Sequence, residues 1–254
     1  MLNEKNIANK VVIVTGASKG LGAEICIKLA KEKYKVAIIY KSSVSEAKKV
    51  LLQCKKFSNA ILIKADVSKK KSCEKVVDLV RKKLGEINIL INNAGKTKFV
   101  KFSNLDGLSE NDFLDIYRTN VISAFLMSRA CNKSMLKTLK PKIINISSVA
   151  SLGLGSSIAY ACSKGALNTL SLSLARTLSP KITVNTISPG YIKTSWHGSK
   201  KQVLKKAKLY EKEVLLKRSA AADEVADTIM WYVNSPHLIT GENIFVDGGL
   251  HLSS

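Results

Sequence analysis

The sequence is poor in acidic residues, arginine and aromatic residues. Its 254 residues include 19 Asp and Glu against 41 Lys and Arg, a net charge of +22, and only five of the basic residues are arginine. Nucleic-acid surfaces usually combine clustered arginine with aromatic side chains, whereas these lysines are scattered and aromatics make up 6% of the chain. No nucleic-acid partner is therefore predicted. The excess indicates a lysine-rich solvated surface, or alternatively an acidic ligand or acidic protein partner.

Metal, disulfide and membrane patterns are also missing. The five cysteines are scattered, odd in number and without a Cys-x-x-Cys pair, and the three histidines lack ligand spacing. Neither a metal site nor a disulfide framework is predicted, and free thiols fit a reducing compartment. The first residues form no apolar signal segment, and the longest apolar runs are too short for a bilayer. We therefore expect a cytoplasmic protein without a membrane partner.

Seven short β-rich segments alternate with longer helical segments. Strands are predicted at 10–15, 34–40, 60–66, 87–91, 142–147, 182–187 and 243–247. Near-continuous apolar strands are typical of a parallel sheet covered on both faces. With helices between them, they predict one doubly wound α/β domain over residues 1–254. The long excursion at 191–222 carries an amphipathic basic helix around 199–216 and is a candidate lid over a site.

A glycine turn directly follows the first strand. Gly16, Gly20 and Gly22 lie between that strand and the start of a helix. Such glycines let the backbone approach a pyrophosphate, and the helix N-terminus offers N–H groups to it. The Gly-x-x-x-Gly-x-Gly spacing differs from the general Gly-x-Gly-x-x-Gly dinucleotide fingerprint. The turn therefore predicts a phosphate cradle and indicates a particular family.

Tyr160 and Lys164 share one face of the helix after the fifth strand. They lie four residues apart, which places both side chains on the same side. A phenol titrates near pH 10, too high for acid–base work at neutral pH. A nearby ammonium favours the phenolate and lowers that pKa. The pair is therefore a candidate acid–base group.

With these motifs, the chain resembles the short-chain dehydrogenase/reductase family over residues 8–249, in the branch of the 3-oxoacyl-acyl-carrier-protein reductases. The motifs follow the family's order: 15–22, Asp66-Val67, 92–95, Asn120, Ser147-Ser148, Tyr160-x-x-x-Lys164, 188–190 and 247–249. The resemblance implies a Rossmann-type, seven-stranded parallel sheet of order 3-2-1-4-5-6-7 with helices on both faces. It also implies a homotetramer, with the helix of Tyr160 and Lys164 at one interface and residues 247–249 at another.

The resemblance also implies catalytic roles. Tyr160 would be the general acid in carbonyl reduction, and Lys164 would lower its pKa and hold the nicotinamide ribose hydroxyls. Ser148 would hydrogen-bond the substrate carbonyl and stabilise developing negative charge. Asn120 would hold a water that links Lys164 to solvent. Ser147 is the alternative to Ser148, because neighbouring strand residues face opposite sides and Ser147 restores the more common spacing to Tyr160.

A nicotinamide dinucleotide site is implied as well. Its residues would be Gly16, Ser18, Lys19, Gly20, Leu21, Gly22, Tyr40, Lys41, Ser42, Asp66, Val67, Asn93, Ala94, Gly95, Tyr160, Lys164, Pro189, Gly190, Ile192 and Thr194. The second strand ends without an acidic residue that would bind the ribose 2′-hydroxyl and repel a 2′-phosphate. Lys41, hydroxyl groups and Lys19 suit a phosphate. NADP(H) is therefore predicted over NAD(H).

The predicted activity is reversible reduction of a small-molecule carbonyl, or oxidation of the alcohol, by hydride transfer. Residues 97–102, residues 153–158 and the excursion with Trp196 and His197 are expected to close the pocket. One alternative is reduction of an acyl thioester on an acyl carrier, an acidic protein that the positive surface would attract. A sugar or polyol dehydrogenase is another. The remote alternative is a non-catalytic module that senses nucleotides or binds nucleic acid.

Overall fold

The computed structural model describes residues 9–253. Seven strands form one parallel sheet in the order β3-β2-β1-β4-β5-β6-β7. The strands are β1 (Val11–Val14), β2 (Lys35–Tyr40), β3 (Ala60–Lys64), β4 (Ile87–Asn92), β5 (Lys142–Ile146), β6 (Thr183–Pro189) and β7 (Asn243–Val246). The predicted fold class and strand order are confirmed. Residues 1–8, which include the segment inspected for a signal, and residue 254 lie outside the described residues.

Eight α-helices connect and flank the strands within this part of the chain. They are α1 (Gly20–Lys31), α2 (Val44–Lys55), α3 (Lys70–Leu84), α4 (Glu110–Tyr117), α5 (Ser123–Met135), α6 (Ile158–Leu178), α7 (Lys200–Glu213) and α8 (Ala222–Asn234). A π-helical turn at Arg118–Ile122 joins α4 to α5. The predicted bounds differ from the observed ones by a few residues, as expected where helix and strand ends fray.

Two apolar layers cover the two faces of the sheet. Val12 and Val14 of β1 belong to the layer formed with α1 and α8, whereas Val11 and Ile13 belong to the layer formed with α3 and α5. Side chains alternate along a strand, so one continuous apolar run supplies both layers. Each fully buried Val or Ile contributes about 1.5–3 kcal/mol. These runs therefore specify a sheet that is covered on both sides.

The sheet's carboxyl edge is where the loops gather. The strand order reverses between β1 and β4, and the glycine turn after β1 faces the loop after β4. Ligands of open α/β sheets bind at such a switch point. The excursion at 191–222 leaves β6 at this same edge and carries α7. The fold therefore brings the predicted motifs to one place.

The cysteines pack mainly as small apolar side chains. All five are free thiols, and only Cys162 is exposed. Burial raises the pKa of Cys73 to about 11 and that of Cys54 to about 12, so both stay protonated at neutral pH. Separately, none of the helices formed by residues 9–253 combines the length and apolarity of a membrane-crossing segment.

Candidate active site

A single cleft of about 850 Å³ runs along the carboxyl edge of the sheet. All twenty residues predicted to hold the cofactor line it, and so does Ser148. Segments from 97–102, 153–158 and 191–222 contribute the opposite wall, as expected for a pocket that these segments close. The structure therefore assembles the predicted motifs into one continuous site.

The glycine turn is held against the loop after β4. The Thr15 hydroxyl accepts hydrogen bonds from the backbone N–H groups of Asn93 and Ala94, each at 3.0 Å. The Asn93 amide donates to the carbonyls of Thr15 and Gly16 at 3.0 and 3.1 Å. Gly16 has φ +63°, and a Cβ there would stand 2.7 Å from the Ala94 Cα. This close approach requires glycine, and the side-chain amide of Asn93, one of the predicted cofactor residues, is bonded to the turn itself.

The start of α1 suits an anion. Lys19 is its N-cap residue and makes no side-chain capping bond within the described chain, and the first turn carries no acidic residue. The first N–H groups of a helix lack helical partners and lie at the positive end of its dipole. The open turn before α1 thus leaves room for phosphate oxygens at these groups. The residues present fit the pyrophosphate of a dinucleotide.

A lysine and a carboxylate meet in the part of the cleft next to the ends of β2 and β3. The Lys41 Nζ lies 2.9 Å from a carboxylate oxygen of Asp66. Burial opposes ionisation of Asp66, but hydrogen bonds from Ser68 and from Lys41 outweigh it and lower the pKa of the carboxyl group. Asp66, one of the predicted cofactor residues, and Lys41, the lysine predicted to suit a phosphate, are therefore neighbours.

Tyr160 and Lys164 lie at the inner end of the cleft. The Lys164 Nζ lies 5.6 Å from the centre of the Tyr160 ring and donates to the Ile146 carbonyl at 2.8 Å. Burial lowers the pKa of Lys164 to about 7. Burial also raises the pKa of Tyr160 to about 12, although a hydrogen bond with Ser148 acts in the opposite direction. The Tyr160 phenol is therefore protonated at neutral pH.

This upward shift differs from the lowered Tyr160 pKa that the resemblance implies. The apolar surroundings disfavour the phenolate more than the Ser148 hydrogen bond favours it. A protonated phenol is the form that a general acid needs. The geometry thus suits proton donation to a substrate oxygen.

The two adjacent serines at the end of β5 have different partners. The Ser147 hydroxyl donates to the Lys164 carbonyl at 3.2 Å, although Ser147 also lines the cleft. The Ser148 hydroxyl accepts from the Ala150 N–H at 3.1 Å and donates to the Pro189 carbonyl at 3.4 Å, and it lies close enough to Tyr160 to act on the pKa of the phenol. The geometry therefore favours Ser148 as the serine that faces a substrate.

Asn120 lies in the π-helical turn and does not line the cleft. Its amide donates to the Lys96 carbonyl at 3.0 Å and to the Ser163 hydroxyl at 2.8 Å, and its oxygen accepts the Lys96 N–H at 2.7 Å. The side chain thus ties the loop after β4 to α6. These protein partners use both N–H donors of the Asn120 amide, so its structural role here is to hold the two segments together, and the predicted water relay stays a prediction.

One face of α7 supplies cleft residues that the sequence motifs do not indicate. Lys206, Leu209, Tyr210 and Glu213 all line the cleft, at spacings that place them on one helical face. The Tyr210 hydroxyl donates to the Asp247 carbonyl at 2.5 Å. A Cβ on Gly190 would lie 2.0 Å from that hydroxyl oxygen, so Gly190 makes room for Tyr210. Helical amphipathicity marks α7, but it does not say which face meets the cleft.

These features define an α/β nucleotide-binding oxidoreductase, and comparison with known proteins gives the family. The sequence matches the family model described as short chain dehydrogenase over residues 10–204. The chain therefore belongs to the short-chain dehydrogenase/reductase family and is an oxidoreductase that uses a nicotinamide cofactor.

Curated relatives span nearly the whole chain. It is 32% identical over 246 residues to a 3-oxoacyl-[acyl-carrier-protein] reductase FabG of Buchnera aphidicola, covering 96% of this chain and 98% of the relative. It is 31% identical over 258 residues to glucose 1-dehydrogenase 2 of Bacillus subtilis, covering 98% and 97%. The predicted family and branch are confirmed.

Solved structures give the same picture. A short-chain dehydrogenase/reductase from Serratia marcescens superposes with a TM-score of 0.86 at 29% identity, covering 96% of this chain and 99% of the other. The aldohexose dehydrogenase of Thermoplasma acidophilum superposes with a TM-score of 0.85 at 28% identity, covering 98% and 96%. The structural similarity therefore extends over nearly the whole chain, including both the sheet and the excursion at 191–222.

Proposed function

We propose that the protein is an NADP(H)-dependent reductase of small carbonyl compounds, which also oxidises the corresponding alcohols. The observation that carries this proposal is the convergence of Ser148, Tyr160 and Lys164 at the inner end of a dinucleotide-shaped cleft. Each residue supplies a group that carbonyl reduction needs: a hydrogen-bond donor, a protonated acid and a cation.

The residues divide the work as follows. A bound nicotinamide cofactor supplies the hydride that the carbonyl carbon receives. Ser148 donates a hydrogen bond to the carbonyl oxygen and stabilises its developing negative charge. Tyr160 gives its proton to that oxygen, which completes the alcohol, and solvent later reprotonates the phenolate. Lys164 keeps two ammonium hydrogens for ribose hydroxyls, and its charge stabilises the phenolate.

The substitution Tyr160→Phe tests this mechanism. It removes the transferable proton but keeps the ring, so we expect kcat to fall by about 10²–10⁴-fold while NADPH affinity changes little. Turnover is followed by NADPH absorbance, and binding by the fluorescence of the reduced cofactor. Tyr117→Phe, on an exposed tyrosine of α4, is the matched control. Normal turnover by Tyr160→Phe would end the proposed mechanism.

The preference for NADP(H) rests on the adenosine end of the cleft. Lys41 lines it with Ser42, and Lys19 lies in the glycine turn. We expect kcat/KM to be higher with NADPH than with NADH, and Lys41→Ala to reduce that preference about tenfold, because a phosphate loses a charged donor. Lys49→Ala, on an exposed α2 lysine paired with Glu46, controls for charge. A preference for NADH would contradict the assignment.

Reduction of acyl thioesters is the second candidate. The relative from Buchnera aphidicola is named for 3-oxoacyl-[acyl-carrier-protein] reduction, and a net charge of +22 would attract an acidic carrier. NADPH oxidation is compared for acetoacetyl thioesters, a diketone, an aldehyde and a keto-sugar. Strong preference for the thioester favours this candidate. Turnover confined to sugars favours the third candidate, a sugar or polyol dehydrogenase. The Bacillus subtilis relative is named as a glucose 1-dehydrogenase.

We also propose a homotetramer located in the cytoplasm. The face formed by α4, α5 and α6 exposes large apolar side chains, among them Phe113, Leu114, Phe125 and Leu172. Contiguous apolar surface of this kind marks protein interfaces, and the free thiols fit a reducing compartment. Light scattering at micromolar concentration tests the assembly, and a monomer would refute it.

A further inference from the structure

The substrate end of the cleft has an aromatic wall with one lysine beside it. The Trp196 ring lies 6.4 Å from the Tyr160 ring, and the neighbouring His197 ring lies 6.2 Å from the Phe99 ring. The Lys206 Nζ lies 4.1 Å from the centre of the Phe99 ring. This chain of contacts runs from the proposed acid to Lys206. A substrate whose carbonyl reaches Tyr160 has room to extend along this wall toward Lys206, which lines the same cleft.

Lys206 differs from the other lysines of α7. Lys200, Lys201, Lys205, Lys208 and Lys212 are exposed, whereas Lys206 is half-buried and lines the cleft. The face of Phe99 holds its ammonium by a cation–π contact. Within residues 9–253, no carboxylate lies within ion-pairing distance of it. Its charge is thus positioned in the cleft without an anionic partner.

The neighbouring titratable groups leave that charge in place. Burial, and then the charge of Lys206, lowers the pKa of His197 to about 4, so the imidazole is neutral at pH 7. Glu213 also lines the cleft, but it lies two helical turns from Lys206, about 10 Å along the axis of α7. The wall near Phe99 is therefore apolar with one positive charge.

We propose that Lys206 is a specificity-determining residue that selects carbonyl substrates carrying an anionic group, a carboxylate or a phosphate, beyond the reacting carbonyl. The proposal rests on the reductase function proposed above. The apolar wall would bind the carbon chain, and the ammonium would bind the anion at its end. A partly exposed pair of this kind contributes modestly, so we expect about a tenfold preference for the anionic substrate.

Matched substrate pairs test the proposal. One pair is 5-oxohexanoate and its methyl ester, which differ by a carboxylate. The other is acetoacetyl-phosphopantetheine and acetoacetyl-N-acetylcysteamine, which differ by the phosphate-bearing part. We expect the wild type to favour the anionic member about tenfold in kcat/KM in at least one pair. A preference in the first pair indicates a site for carboxylates, and a preference in the second indicates a site for phosphates. The preference is expected to shrink as salt is added.

Three variants separate Lys206 from general charge. Lys206→Met should bring the anionic-to-neutral ratio to within about twofold of one, and Lys206→Arg should restore most of the preference. Lys205→Met removes an equal charge from the exposed side of α7 and should leave the ratio unchanged. Affinity for NADPH is measured in each variant. A loss of NADPH affinity in Lys206→Met that matches the loss of activity would instead make Lys206 a cofactor residue.

The outcomes distinguish the two proposals. An equal ratio in wild type and Lys206→Met, or no anionic preference in the wild type, overturns the role of Lys206 and leaves the reductase intact. Absence of turnover with every carbonyl, despite NADPH binding, overturns the reductase. In that case calorimetry with the inert pair hexanoate and methyl hexanoate still tests Lys206, because tighter binding of hexanoate must then depend on this residue.

Discussion

Two lysines at opposite ends of one strand are buried to nearly the same extent. Lys142 begins β5 and is 6% exposed, whereas Lys164 is 4% exposed and donates to Ile146, the last residue of that strand. Burial lowers the pKa of Lys142 to about 8, with nearby lysines adding to the effect, and that of Lys164 to about 7. By residue type, burial and titration the two are alike.

Their hydrogen bonds separate them. The Lys142 Nζ donates to the carbonyls of Tyr232, Val233 and Ser235 at 2.8, 3.1 and 2.6 Å, and it lies 3.2 Å from the Ser235 hydroxyl. These groups lie at the C-terminal end of α8, where a cation also meets the negative end of the helix dipole. All three ammonium hydrogens are used. Lys142 is therefore a structural cap that joins β5 to α8.

Lys164 is different because it lines the cleft, whereas Lys142 does not. Its one hydrogen bond within residues 9–253 goes to Ile146, and it lines the cleft. An ammonium that is desolvated without full hydrogen bonding destabilises the fold. Such an arrangement is typical of functional sites, where a ligand completes the bonding. The comparison teaches that the place of the ammonium, at the end of a helix or in the cleft, separates two lysines that burial alone does not.

The largest expected effect belongs to Lys164→Met. It removes the cation beside Tyr160 and the donor for ribose hydroxyls, so we expect kcat/KM to fall by about 10²–10⁴-fold and NADPH to bind more weakly. The free energy of unfolding of the apoprotein should stay the same or rise, because a desolvated charge is removed. Steady-state kinetics and urea unfolding measure the two effects. Loss of stability without loss of turnover would reverse the assignment.

The second-largest expected effect is a loss of stability with little change in turnover, in Lys142→Met. Four acceptors at the end of α8 lose a charged donor, and we expect the free energy of unfolding to fall by about 2–4 kcal/mol. Among molecules that remain folded, kcat/KM should stay within about twofold of wild type. Lys140→Met, on a neighbouring exposed lysine, is the control and should change stability by less than about 0.5 kcal/mol. A tenfold loss of kcat/KM in folded Lys142→Met would contradict a purely structural role.

The smallest expected effect is a pH dependence of the free energy of unfolding, to which both lysines should contribute. The folded-state pKa of Lys164 is about 7, below its ordinary 10.5, so the unfolded state binds more protons between these values. Stability therefore rises with pH in this window, by at most about 1.4 kcal/mol per pH unit. Urea unfolding of wild type and Lys164→Met from pH 7 to 9 should show the wild type gaining on the variant. Parallel curves would show that the pKa of Lys164 is not lowered.

Much of the site could be predicted because its motifs are local. Gly16 follows β1 directly, and Tyr160 and Lys164 share a helical face by their spacing alone. The continuous apolar run of β1 predicts that both faces of the sheet are covered. Each of these inferences needs only a few consecutive residues, and the parallel topology then brings every strand's carboxyl end to the same edge.

Other features depended on residues far apart in the chain. The Asn120 amide is occupied because Lys96 and Ser163 approach it from two other elements. The close approach of Tyr210 to Gly190 likewise joins α7 to the end of β6. The π-helical turn around Asn120 leaves no signature in periodicity, since it inserts a single wider turn into an otherwise helical segment. Spacing along the sequence contains no information of this kind.

Hydrophobic periodicity and turn chemistry are enough to predict the sheet, the glycine turn and the proximity of Tyr160 to Lys164. They work because each is a short-range property of the chain. The different surroundings of Lys142 and Lys164, in contrast, depend on residues that are far away in the sequence. The acceptors of Lys142 lie 90–93 residues away, and desolvation depends on everything that packs around a group. Folding therefore decides which buried lysine caps a helix, which one lines the cleft, and which face of α7 turns Lys206 toward the cleft.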